Sequence, residues 1–295
     1  MRPLAADFQR HLSLERGLSR NTCLAYAGDV EAFLAYCERR KTDPAQAVPH
    51  FIEEYLWSLK TEKHLGPASI FRKTEAIRSF YRYLRLEGKA RQDPTSNFRA
   101  PRLPRKIPRF LNQRDMGKLL NCPGDGSFAA SRAAAAVELL YASGIRVSEL
   151  LGLRLESVNF QQGWLRVFGK GAKERLVPVN TAALARLKAY LDERNLKFGG
   201  RAVDDELFLN RSGKKLSRVQ MWKDIAGLGR EAGVQLKPHP HLFRHTFASH
   251  LVQGGADLRS VQEMLGHSSL NTTQIYAHVE KGDVKRAHDK FHPDK

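Results

Sequence analysis

The chain has 295 residues, with 49 Lys and Arg against 31 Asp and Glu, a formal net charge of +18 and an isoelectric point near 10.0. It is long enough for more than one average domain with a proper core, and the charge points to a polyanionic partner, nucleic acid first and an anionic membrane surface second. A membrane span is excluded because no run of about 18 apolar residues occurs, and Arg2, Asp7 and Arg10 leave no room for a secretory signal peptide.

Cys23, Cys37 and Cys122 are far apart and form no C-x-x-C pair, so they are expected to be reduced packing residues in a cytoplasmic protein. Residues 1–92 are predicted to be a module of about four helices. Ser19 precedes a stretch in which Leu24, Ala27, Val30, Leu34 and Cys37 recur at helical spacing, and Asp43-Pro44 ends it. Phe51–Lys60 carries Ile52, Tyr55, Leu56 and Leu59. Pro67 starts the next helix, whose apolar face is Ile70, Thr74, Ile77, Tyr81 and Leu84. Arg78, Arg82 and Arg85 line a second face of that helix as candidate DNA contacts, and Gly88 stops it.

Residues 93–109 change character. Pro94, Pro101, Pro104 and Pro108 bar a helix, and Arg99, Arg102, Arg105, Lys106 and Arg109 are interleaved with them. This is predicted to be a basic, extended linker, with Arg105 and Lys106 at the DNA. Residues 110–295 read as mostly helical. Ala129–Ser143 is predicted helical and ends at Gly144. Trp164–Phe168 and Arg175–Val179 flank a glycine-rich turn and predict a β-hairpin. Helices are expected at Thr181–Asn195, Arg218–Glu231, His241–Gln253, Leu258–Leu265 and about Thr272–Val279, with a strand at Leu207–Leu209. The run Asp204-Asp205-Glu206 is read as a solvated loop, since a two-metal centre needs carboxylates that converge in space.

The residues that can carry chemistry lie in the second part. Arg146 follows Gly144-Ile145 near a helix start, and Glu149, three residues on, shares its face and can orient the guanidinium. His241 and Arg244 are i, i+3 neighbours. His267 follows a helix-breaking glycine, and Tyr276 comes nine residues later. Arginine forks suit an anionic phosphate that gains charge in its transition state, and a phenol of pKa about 10 can act as nucleophile where a base or strong cations assist it. Lys170 and Lys173 share the hairpin turn as candidate general acids, and composition does not choose between them. His241 and His245 have the spacing of a helical zinc site, but residue 242 is Leu, so H-E-x-x-H is absent and no metal is expected.

In this order and spacing the motifs resemble the tyrosine recombinase (phage integrase) family, and within it the Xer-type chromosome-dimer resolvases. They are R-x-S-E-L at Arg146–Leu150, G-K-G-x-K-E-R at Gly169–Arg175, H-x-x-R-H at His241–His245, L-G-H-S at Leu265–Ser268 and T-T-Q-I-Y-x-H at Thr272–His278. The resemblance spans nearly the whole chain, and Phe243 stands where family members commonly have Leu. It implies a mainly α, two-domain DNA clamp: an N-terminal helical bundle, and a mostly helical catalytic domain with a small antiparallel sheet or hairpin and a C-terminal tail.

It further implies that Arg146 and Arg244 clamp the scissile phosphate, that Lys170 protonates the leaving 5′-oxygen with Lys173 on the DNA backbone, and that His241 and His267 assist proton transfer. Tyr276 attacks to give a 3′-phosphotyrosyl intermediate, Glu149 supports the first arginine, and no cofactor takes part. The implied partners are double-stranded DNA, a homo- or hetero-tetramer of recombinase protomers on two sites, a second recombinase and a DNA translocase, with no membrane. Competing readings are the integrase of a mobile element, a non-catalytic DNA-binding protein of the same fold and a relaxing topoisomerase. The short N-terminus, without space for an arm-site-binding domain, favours the Xer-type reading.

Overall fold

In the computed structural model, residues 2–98, 110–169, 174–201, 203–265 and 290–293 are described. The chain divides into two compact units, Met1–Lys106 and Ile107–Lys295.

The first unit contains α1 (Arg2–Leu14), α2 (Arg20–Arg39), α3 (Pro49–Thr61) and α4 (Pro67–Leu86). Its helix starts follow from local chemistry. The Ser19 hydroxyl accepts the Thr22 N–H at 3.3 Å, and Pro49 and Pro67 sit in first turns, where no N–H is needed. Past α4, Gly88 takes a left-handed φ of 65°. Ile70, Thr74, Ile77, Tyr81 and Leu84 are all buried, as their spacing predicts. Aromatic rings fill the interior: Phe8 meets Phe80 edge-on at 5.4 Å, and Phe33 lies 5.2 Å from Tyr55. The expected face of α2 is off at one position: Leu24 is exposed, and the neighbouring Cys23 faces the core instead. Buried Asp29 ties α2 to α4 through Arg72 at 2.6 Å and Lys73 at 2.7 Å.

The second unit is built around α6 (Phe128–Ser143). This helix is apolar nearly all round, which is the signature of a buried helix. Ala133, Ala135, Ala136 and Ala142 keep its girth small, and α8 (Thr181–Phe198), α9 (Arg218–Glu231) and α10 (Pro240–Gln253) pack directly on it. Arg132 on α6 makes a buried ion pair with Asp224 on α9 and also donates to the Leu209 carbonyl at 2.8 Å. The remaining helices are α5 (Gln113–Leu120), the single turn α7 (Val147–Leu150) and α11 (Leu258–Leu265).

The sheet has three antiparallel strands, β1 (Val158–Asn159), β2 (Trp164–Phe168) and β3 (Glu174–Pro178), in the order β1-β2-β3. The hairpin forms as expected, with Trp164 opposite Pro178 and Phe168 opposite Glu174. Leu165, Val167 and Val177 point into the core. The two-residue β1 is too short to show a period. Leu207–Leu209 is not a strand. It is a fully buried segment with isolated bridges at Glu206 and Leu209. Asp204 and Glu206 pair with Lys214 and Lys215, as befits an ion-paired surface loop. The mainly helical architecture with a small antiparallel sheet is the one the sequence predicts. The expected helix at Thr272–Val279 and most of the linker lie outside the described residues.

Gly144 closes α6 in a left-handed conformation, φ 60°, and turns the chain toward Arg146. A Cβ here would stand 2.4 Å from the Phe247 ring. Gly144→Ala therefore combines backbone strain with overpacking and should cost about 2–4 kcal/mol. Urea unfolding checks this as a lower midpoint at unchanged slope; an unchanged midpoint would show that neither constraint holds.

Candidate active site

Arg146 is the N-cap of α7, in extended conformation at φ −77° and ψ 151°. Glu149, in the first turn, reaches back and accepts the Arg146 backbone N–H at 2.8 Å, which fixes the start of the helix. Its carboxylate also accepts the Arg146 guanidinium at 3.0 Å. Glu149 and Arg146 are thus bonded to each other, as their i, i+3 spacing allows.

A second arginine, to which the sequence reading gave no role, holds the same carboxylate. Arg175, in β3, donates both terminal nitrogens to Glu149 at 2.9 Å each, in the parallel fork that suits a carboxylate. The signal for it was the final R of the G-K-G-x-K-E-R motif. The Glu149 side chain is only 4% exposed, whereas that of Arg146 is 39% exposed and that of Arg175 is 20% exposed. The carboxylate is therefore sealed beneath guanidiniums that keep a face toward solvent. Burial pushes the Glu149 carboxyl up, but the hydrogen bonds from Arg175 and Arg146 outweigh it and hold the group below its ordinary range.

Arg244 reaches the same place from α10. Its two terminal nitrogens donate to the carbonyls of Gly144 at 2.7 Å and Leu265 at 2.6 Å. Gly144 is the C-cap of α6, where carbonyls lack helical partners and the helix dipole is negative, and Leu265 is the last described residue of α11. Burial and the like charge of Arg146 lower the Arg244 guanidinium to about 10, with Glu149 opposing and Arg175 adding to the effect. It stays protonated at neutral pH. Arg146 and Arg175 thus share one carboxylate, Arg244 beside them is bonded to backbone carbonyls, and the three guanidiniums together carry more positive charge than Glu149 balances. Such a site stabilises an anion whose charge grows during reaction.

His241 is exposed in the first turn of α10, i, i+3 from Arg244 and just after Pro240. The neighbouring His239 caps the helix by accepting the Leu242 N–H at 3.3 Å. His250 is structural: it is buried, with Nδ1 3.0 Å from the Tyr141 hydroxyl. Lys170, Lys173, His267 and Tyr276 lie outside the described residues, as do Arg105 and Lys106. On α4, Arg78 is half-buried and bonded to Glu75 at 2.9 Å, whereas Arg82 and Arg85 are exposed. Among the described residues, no group of three or more His, Cys, Asp or Glu is placed to hold a metal ion. No helix among them is long and apolar enough to cross a membrane.

Because Glu149 has a depressed pKa when folded, its charge stabilises the fold above its unfolded value, near 4.5, and that contribution is lost as pH falls through the folded value. Glu149→Gln should lower stability by about 2 kcal/mol at neutral pH. The gap from the unsubstituted chain should close on acidification below 4.5. Denaturant titrations across that range check it, and a gap that does not vary with pH would mean that the charge contributes nothing.

Comparisons with known proteins show the family. Residues 109–282 match the phage integrase family, and residues 5–88 match the N-terminal SAM-like domain of phage integrases. Tyrosine recombinase XerD of Chlorobaculum tepidum is 42% identical over 289 residues, covering 97% of this chain and 95% of the relative. Tyrosine recombinase XerD of Staphylococcus aureus (strain N315) is 39% identical over 294 residues, 99% of each chain. Among solved structures, XerA recombinase is 28% identical with a TM-score of 0.50, covering 100% of this chain and 99% of that one. XerH bound to its difH substrate before cleavage has a TM-score of 0.68 at 24% identity, with 96% and 83% covered. A lambda integrase tetramer bound to a Holliday junction also reaches 0.68, at 19% identity, with 92% and 75% covered. The last two speak to the fold; near-full-length identity to the curated recombinases speaks to the chemistry. A preformed arginine site on this fold, with both family domains matched in order, makes the chain a member of the phage integrase family, an Xer-type tyrosine recombinase that breaks and rejoins DNA at specific sites.

Proposed function

We propose that this recombinase resolves chromosome dimers at a dif-like site by exchanging strands through a 3′-phosphotyrosyl intermediate. The observation that carries the reading is the pairing of Arg146 and Arg175 on the single carboxylate of Glu149, with the like charge of Arg244 close enough to be felt by Arg146. A phosphodiester supplies the negative charge that such a site lacks. In this reading, Arg146 and Arg244 hold the non-bridging oxygens of the scissile phosphate. Tyr276 attacks phosphorus through its phenolic oxygen and loses its proton with help from His241 and His267. The bond to the 5′-oxygen breaks as Lys170 donates a proton to it. In the second half the 5′-hydroxyl of the partner strand attacks phosphorus, the tyrosyl bond breaks, and the protons return. Each step exchanges one phosphate ester for another, so rejoining needs no nucleotide.

The larger assembly in this reading is a two-module clamp on duplex DNA and a tetramer of identical or paired recombinases across two sites, the latter in keeping with the lambda integrase tetramer on a Holliday junction. A second recombinase and a DNA translocase complete the proposal, and the setting is the cytoplasm. Arg82 and Arg85 meet DNA phosphates in the N-terminal module, with Arg78 steadied by Glu75 beside them. Arg105, Lys106 and Lys173 add backbone contacts.

If each protomer neutralises about 6–10 phosphates, affinity should fall about 10³–10⁵-fold between 50 and 200 mM salt. Arg82→Ala with Arg85→Ala should shallow the slope of fluorescence-anisotropy titrations against salt. A slope unchanged by the double substitution would remove α4 from the interface.

Tyr276→Phe keeps the ring and removes the nucleophile. It should abolish covalent trapping on a nicked suicide substrate while DNA binding persists. The unsubstituted protein should leave protein on the 3′ end and a 5′-hydroxyl on the other, with EDTA present throughout. Cleavage by the Phe variant, or protein-free ends that require Mg²⁺, would defeat the reading.

A further inference from the structure

Arg175 has a position that neutralising Glu149 does not by itself require. It lies in the β2–β3 ladder opposite Val167, one pair inside the last rung, Phe168 with Glu174. In the sequence, residues 169–173, Lys170 among them, join the two residues of that rung. Its backbone therefore belongs to the root of the hairpin, while its guanidinium grips the carboxylate that sets the start of α7 and aims Arg146. The grip has no other anchor: the remaining donor, Arg175 Nε, is buried with no acceptor among the described residues. Leu165, Val167 and Val177 share one core with Val147 and Leu150 of α7. That contact is apolar and non-directional, so it does not by itself select one angle between the sheet and α7. A bidentate fork fixes both distance and angle.

We propose that Arg175 is a positioning residue for leaving-group protonation: its fork on Glu149 locks the root of the hairpin to the Arg146 guanidinium, so that the lysine of the turn meets the leaving oxygen of the phosphate that Arg146 holds. This rests on Lys170 as the general acid. Proton transfer needs heavy atoms within hydrogen-bond reach, and a displaced root carries the turn with it. Glu149 thereby serves two catalytic groups through one carboxylate, one arm setting the clamp and the other setting the acid.

The test uses the full chain on nicked suicide duplexes that carry either oxygen or sulfur at the 5′ leaving position. A thiolate leaves without a proton, so the sulfur substrate bypasses the acid. Single-turnover cleavage is measured for the unsubstituted protein and for Arg175→Ala, Arg175→Lys, Lys170→Ala and Arg146→Lys, with DNA affinity and unfolding midpoints followed alongside. Arg175→Ala should cut cleavage of the oxygen substrate about 10²-fold, the scale set by small misplacement of a catalytic group. Arg175→Lys keeps the charge without the fork and should lose less. Both should regain most of their loss on sulfur, as Lys170→Ala does, whereas Arg146→Lys should stay slow on both.

Equal losses of Arg175→Lys on the two substrates, with Lys170→Ala rescued, would overturn the proposal and leave Arg175 as a structural counter-charge. Failure of sulfur to rescue Lys170→Ala would instead overturn the assignment of the acid, and the positioning role with it. Should Arg175→Ala not fold, the Lys variant decides alone.

Discussion

Removing a carboxylate from water costs several kcal/mol, and Glu149 offsets that cost with four charge-assisted hydrogen bonds: one from a backbone N–H and three from two guanidiniums. The constraint runs both ways. Withdrawing either arginine leaves a buried charge less completely paired, so each is held where the carboxylate needs it. Arg146 is thus fixed at a helix start and Arg175 at a strand root, and one buried carboxylate joins the two elements. The rest of the site inherits this arrangement.

Arg244 arrives by another route. It has no carboxylate partner of its own among the described residues and is aimed by the carbonyls of Gly144 and Leu265. The Gly144 carbonyl is available because α6 ends there, and α6 ends there because Gly144 can adopt a left-handed turn against the Phe247 ring. The alanine-rich surface of α6 lets α8, α9 and α10 approach closely and makes that helix end a fixed point. A guanidinium aimed by neutral dipoles keeps its whole charge for a ligand, which a guanidinium paired to an acid does not.

Two electrostatic tasks are separated in this molecule. The formal charge of +18 is spread over surface side chains and sets attraction to a polyanion, a long-range and salt-sensitive effect. The Arg146, Arg175 and Arg244 group is small, partly buried and less screened, which suits the proposed task of binding one phosphate and the charge that develops there. Substitutions on the surface should move affinity, and substitutions in the group should move rate.

Much of the fold was legible in the chain. Ser19, Pro67, Gly88 and Gly144 mark helix limits through capping and backbone chemistry that act within a few residues, and the hairpin follows from β-rich runs about a glycine-rich turn. The motif order likewise identified the family and singled out Arg146, Glu149, His241 and Arg244. Periodicity failed where one residue of phase decides. Leu24 is exposed while Cys23 packs, because the angle at which α2 meets its neighbours is set by the other helices. Leu207–Leu209 looked like a strand because complete burial and strand pairing favour the same residues, and only the partner across the gap distinguishes them. The role of Arg175 depended on a contact 26 residues away in sequence, and the aim of Arg244 on a carbonyl 100 residues away. Local chemistry writes helix ends, turns and motifs into the sequence. Which guanidinium shares which carboxylate is decided only when packing brings distant segments within hydrogen-bonding distance.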